Sequence, residues 1–197
     1  MSKVRWKPGN LIYPLPAALV SCRSKTHGDN LITIAWTGTI CTNPPMCYIS
    51  IRPDRYSYDI INESKEFVIN LTTTQMARGT DWCGVKSGRD YDKFKECGFT
   101  KGEAEVVDVP LVNESPLAIE CKVVEIKELG SHHMFIANVV SATVDDKYLD
   151  DTGAFNLNQS DLICYSHREY RKLGQKIGHF GYAVKKLKKK PRRKKIN

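Results

Sequence analysis

No stretch of this 197-residue sequence approaches the roughly 18–20 apolar residues that a membrane-spanning helix needs. The opening residues, MSKVRWKPGN, carry no apolar core of the kind a secretory signal uses. Cysteine is present but unpaired by pattern. Cys22, Cys41, Cys47, Cys83, Cys97, Cys121 and Cys164 are odd in number and nowhere spaced CxxC. That excludes a disulfide framework and a zinc ribbon, so reduced thiols and a cytoplasmic setting are expected. In that setting the Asn-x-Ser/Thr triplets at Asn62, Asn70, Asn113 and Asn158 carry no glycan.

Familiar catalytic signatures are missing too. There is no GxxxxGK[ST] phosphate loop and no GxGxxG. There is no GxSxG nucleophile elbow and no HExxH pair. His132 and His133 are adjacent in a predicted strand, so they face opposite ways and cannot share a metal. A chain without these groups that is nonetheless an enzyme needs a bound cofactor for the difficult step.

Basic character is missing from most of the chain, although the formal charge is +8. Nine Lys or Arg and no acid lie in 185–197, KKLKKKPRRKKIN, so the residues before them carry about −1. The sequence therefore divides into one domain, 1–184, and a basic tail, 185–197, that is expected to be disordered. The tail has no interleaved aromatics for base stacking and the body is near neutral, so nucleic-acid binding is not expected as the main function.

What is present is short and rich in β-branched residues. Strands are predicted at 15–22, 31–37, 46–52 and 66–71, with 38–45 as a connection. Helices are predicted at 53–64, capped by Asp54, and at 75–84. In 117–127, Leu117, Ile119, Cys121 and Val123 alternate with Ala118, Glu120 and Lys122, and the phase then slips to Val124 and Ile126. A slip within one strand predicts a β-bulge, as found in closed or nearly closed antiparallel barrels. The partner strand is 133–144, joined by a hairpin turn at 128–131. A short strand is predicted at 162–165, and 167–184 reads as an ordered arm.

Three segments offer binding chemistry. In NLITIAWT, 30–37, Ala35 between two threonines leaves backbone and hydroxyls where a flat ligand could lie; the pattern also fits an ordinary strand. In SIRPDRYS, 50–57, two Arg and two Ser meet at a strand-to-helix junction, a good phosphate site or simply a capped helix. In DWCGVKSGRDYDKF, 81–94, glycines, a serine and three basic residues share a loop fit for an anion or for plain solvent. Cys83 reads as a packed thiol, since no histidine is fixed beside it.

Taken together and in this order, the segments resemble the flavin reductase-like family with the FMN-binding split β-barrel, flavoredoxins in particular. The matching stretches are PAALVSC at 16–22, NLITIAWTG at 30–38, PPMCYISIRPDRYSYDII at 44–61, EFVINL at 66–71, DWCGVKSGRDYDKF at 81–94 and GSHHMFIANVV at 130–140. YRKLGQKIGHFGY at 170–182 resembles a closing segment of some members. The resemblance implies a mainly β split barrel with a few short helices and a homodimer holding one FMN per subunit. It implies that Asn30, Thr33, Ala35 and Trp36 line the ring, and that Ser50, Arg52, Arg55 and Ser57 approach the ribityl chain and phosphate. Ser87, Gly88 and Lys93 would close over the phosphate end. His132 would stand where a nicotinamide approaches, with a backbone-bonded turn histidine as the plainer reading. The implied function is passage of electrons from NADH, NADPH or a redox protein through FMN to an acceptor. A non-catalytic FMN electron carrier is the alternative. Neither requires a side-chain acid or base, which fits the missing triad.

Overall fold

A computed structural model describes residues 1–184 of the chain; the expectation for the 185–197 tail lies outside the described residues. One sheet of seven strands dominates, built from β2 (Ala18–Ser24), β3 (Gly28–Ile34), β4 (Thr37–Cys41), β5 (Met46–Ile51), β6 (Glu66–Leu71), β9 (Leu117–Leu129) and β10 (His132–Val144). Its order is β3-β2-β6-β9-β10-β5-β4, and every pairing is antiparallel. The edge strands β3 and β4 are consecutive in the chain, with only Ala35 and Trp36 between them. So short a link forces the two edges together, and the sheet has to curl. The backbone N–H of Ser50 in β5 donates to the Trp36 carbonyl at 2.9 Å across that seam.

The curl has its cause in the sequence of β9. Ala137 pairs with Val123 and Ile136 with Glu125, so Val124 is the extra residue of a bulge. This is the point at which the alternation slips. A second irregularity leaves Val140 unpaired between Val139 and Ser141. Bulges raise local twist and let long strands bend around a core. The turn between these strands is the pair Gly130-Ser131, with Gly130 at φ +54, a conformation that glycine adopts without penalty.

Inside the curl lie Val20, Ile34, Ile49, Phe67 and Phe135, closed at one end by Ile60 and Ile61 of α1 (Tyr56–Ser64). The outer face of β2 and β3 is covered by α2 (Ala77–Val85) and α3 (Lys93–Cys97), with Leu19, Leu31, Met76, Cys83 and Phe94 between the layers. β2 is thus buried on both faces, which explains why Ala18, Leu19 and Val20 are apolar in succession rather than in alternation. β7 (Lys101–Gly102) and β8 (Leu111–Val112) form a small ribbon. β1 (Leu15–Pro16), β11 (Ile163–Ser166) and β12 (Glu169–Lys172) form a separate three-stranded sheet.

Three local expectations are corrected. The strand predicted at 31–37 ends at Ile34, and the predicted connection 38–45 contains β4. β4 is a short edge strand with Ile40 bulged outward, so it lacks the apolar alternation that marks a half-buried strand. Helix α1 starts at Tyr56 with Arg55 as N-cap and no side-chain cap bond, because the Asp54 carboxylate is taken by Arg52 at 2.8 Å. The first part of the predicted arm is strand β12, paired with β11.

Candidate functional site

The seam between β3 and β4 opens into a cavity of about 760 Å3. A smaller one of about 170 Å3 adjoins it, and Ile32, Arg55 and Gly84 stand in the walls of both. Thr33, Ala35, Trp36, Ser50, Arg52 and His132 line the larger cavity. Asn30, Ser57, Ser87, Gly88 and Lys93 line the smaller, and Arg55 belongs to both. All twelve residues singled out in the sequence therefore gather along one continuous depression, although they come from four separate segments.

The smaller cavity is a cationic recess. The first turn of α1 faces it through Tyr56 and Ser57, and helix N-termini present unsatisfied N–H groups with a positive end charge. Lys93 is 4% exposed and its Nζ donates to the Cys83 carbonyl at 2.8 Å. An ammonium has three donors, so two are left for a ligand. Burial holds the Lys93 ammonium below the ordinary lysine range. Arg89 lies over the Tyr56 ring at 5.2 Å and extends the positive field. Asn30 is the hinge pin: its Nδ2 donates to the Ser57 hydroxyl at 2.8 Å, tying β3 to α1. Gly88 sits so close that a Cβ there would stand 2.2 Å from Asn30 Oδ1. Only glycine lets the 86–92 loop approach the strand this closely.

The larger cavity is aromatic. Trp36 and His132 stack edge to face with centroids 4.2 Å apart. His132 bonds through Nδ1 to the Ser131 hydroxyl at 2.9 Å rather than to backbone. Partial burial and the neighbouring Arg52 and Arg55 charges push its pKa below the usual histidine value, so the ring is neutral at pH 7. His133 faces the other way, onto the Tyr58 hydroxyl at 2.9 Å, as strand alternation requires. The expected free hydroxyls of the first segment are a correction. Thr33 Oγ1 donates to the Thr80 carbonyl, and Thr37 Oγ1 to the Tyr48 carbonyl at 2.7 Å. Both hydroxyls serve the fold, Thr33 tying β3 to α2 and Thr37 tying β4 to β5.

Sequence reasoning missed one whole wall. Tyr13, Tyr165, His167, Arg168 and Tyr170 line the larger cavity from the β1-β11-β12 sheet and its approaches. Asp81 joins them; burial and this carboxylate push the Tyr170 phenol up to about 12. No local motif marks these residues. β11 and β12 are only four residues each, and their partner β1 lies some 150 positions earlier in the chain. Cys83 lies in the wall of the recess with its thiol pushed up by burial, a packed thiol rather than a nucleophile.

Comparison with known proteins bears on this arrangement. A family model described as "Flavin reductase like domain" matches residues 10–174. The structure resembles the flavoredoxin of Desulfovibrio vulgaris (Miyazaki F), with a TM-score of 0.86 at 32% identity, covering 93% of this chain and 100% of that one. It also resembles a flavoredoxin from Methanosarcina acetivorans, with a TM-score of 0.84 at 26% identity, covering 94% and 100%. An uncharacterised protein of Pyrococcus abyssi is 30% identical over 169 residues, 85% of this chain and 95% of its own length. A chain matched over most of its length in sequence, and in the curled barrel that carries the seam cavity, belongs to the flavin reductase-like family of split-barrel proteins.

Proposed function

We propose that the chain binds FMN along the seam and is an oxidoreductase, taking electrons from a reduced nicotinamide or a redox protein and passing them to an acceptor. One observation carries this reading: a roomy aromatic cavity adjoins a small cationic recess through shared walls, the shape of a flat ring with an anionic tail. The residues fit that group. Lys93, Arg55, Ser57, Ser87 and the α1 N-terminus would hold a phosphate dianion with charge-assisted donors. The Thr33–Trp36 and Ser50 segments would lie along the ring edge. When bound, FMN supplies reversible electron uptake and release.

The chain's own residues do the rest. The Asn30–Ser57 bond locks strand to helix, so the two halves of the recess keep a fixed spacing. Rigid donors placed this way stabilise negative charge without reorganising. Trp36 covers one flank and excludes water there. His132, neutral and packed on Trp36, stands at the edge of the cavity where a second flat molecule can approach. Its free Nε2 offers a hydrogen bond to that molecule. The reading includes assembly as a homodimer, which light scattering on the purified protein would test.

The direct test is the visible spectrum of the purified protein with mass identification of whatever heat releases. A yellow protein releasing FMN supports the reading; a colourless one that refuses added FMN overturns it. Rapid mixing of the loaded protein with NADH or NADPH then separates an enzyme, which bleaches near 450 nm, from a carrier reduced by another protein.

A further inference from the structure

Arg168 is placed by an unusual turn. The β11–β12 hairpin closes on the two residues His167 and Arg168, both at positive φ, +47 and +70. Two-residue hairpin turns of this kind favour Asn and Gly, so two long side chains here run against the ordinary preference. The turn is held from outside: the His167 ring packs on Tyr13 with centroids 4.7 Å apart, and Tyr13 in turn lies 6.3 Å from Tyr165. The result is that both turn side chains stand in the wall of the 760 Å3 cavity.

The charge of that cavity is lopsided. Its cations are Arg52, Arg55 and Arg168, and its carboxylate is Asp81. Arg52 is paired with Asp54 at 2.8 Å, and Arg55 reaches the same carboxylate at 4.0 Å. Asp81 faces Tyr170. Among the described residues, Arg168 has no carboxylate partner and makes no side-chain hydrogen bond. A guanidinium at the edge of a tyrosine-lined slot, set by a turn that local preference disfavours, is arranged for a planar anion.

We propose that the His167–Arg168 turn is an anion-recognition element and that the cavity accepts a flat aromatic carboxylate, its ring against the Tyr13 and Tyr165 wall and its carboxylate on Arg168. This deepens the flavin reading by naming the class of molecule that meets the cofactor, and it rests on that reading only for what happens after binding. The probes are 2-naphthoate and its neutral isostere 2-naphthamide, titrated calorimetrically into the protein with and without added FMN. The acid is expected to bind at least about tenfold more tightly than the amide, the size of one charge-assisted hydrogen bond. The preference should shrink at 0.5 M salt. Arg168→Asn, which tolerates positive φ, should bring the two probes within threefold of each other, and Arg168→Lys should restore most of the difference. Equal binding of acid and amide by the parent, or a preference that survives Arg168→Asn, overturns the proposal. Failure to take up FMN would instead sink the flavin reading, since the acid–amide comparison is also run on the flavin-free chain.

Discussion

Arg55 occupies the hinge of the site, caps α1 and borders both cavities. Arg55→Ala is expected to weaken FMN binding by about 1.5–3 kcal/mol, the loss of one hydrogen bond to a charged group, as read by fluorescence titration. Unchanged affinity would remove Arg55 from the site. At Gly88 the argument is steric. Asn30 is buried and held by Ser57, so it cannot give way to a Cβ that would stand 2.2 Å off. Gly88→Ala should cost about 1–3 kcal/mol in urea unfolding, the range for overpacking, and weaken FMN as well. His132 sets a pH dependence. Its folded pKa is depressed, so as pH falls below about 6.5 the unfolded chain takes up the proton first. Stability is therefore lost on acidification through that window, and His132→Gln should flatten this part of the stability–pH curve. An imidazole resonance that titrates at or above 6.5 would refute it.

Element-level reading succeeded where local pattern and packing agree. The slipped phase after Val123 announced the bulge at Val124, because each residue in β9 must choose a face and the two choices conflict there. The same alternation put Glu120 on the face away from the barrel core, where a charged residue suggests solvent. In the structure Glu120 is fully buried. The segment before β8 folds over it, and the carboxylate accepts from the backbone N–H groups of Glu105 at 2.9 Å, Val106 at 2.7 Å and Val107 at 3.1 Å. Nothing in the 117–127 pattern encodes that cover, which comes from residues 13 to 15 positions away. Glu120→Ala would leave the Glu105, Val106 and Val107 N–H groups without their acceptor, Val107 being the buried one of the three, and is expected to cost about 1–3 kcal/mol in thermal or urea unfolding. A loss under 1 kcal/mol would mean that water replaces the carboxylate.

At the scale of the whole molecule, the family match ends at residue 174, well before the cationic run at 185–197. Deleting 185–197 should leave flavin content unchanged by absorbance ratio; loss of colour would show that the flavin-binding unit extends into that run. No helix among the described residues is long and apolar enough to cross a membrane. The three binding segments were readable one by one, yet each also had an ordinary explanation, and their joint meaning appears only when the sheet curls. What the amino-acid order determined alone was the strand-rich class, the hairpin with its bulge, and the residue types able to grip an anion. Those depend on side-chain alternation and turn chemistry within a dozen residues. Tertiary structure decided that Thr33 spends its hydroxyl on α2, that Glu120 is interior, and that Tyr13 and Arg168 share one cavity wall. Each of those depends on two stretches far apart in the chain meeting in space, and pairing at such distances is set by how the whole sheet closes and buries its core.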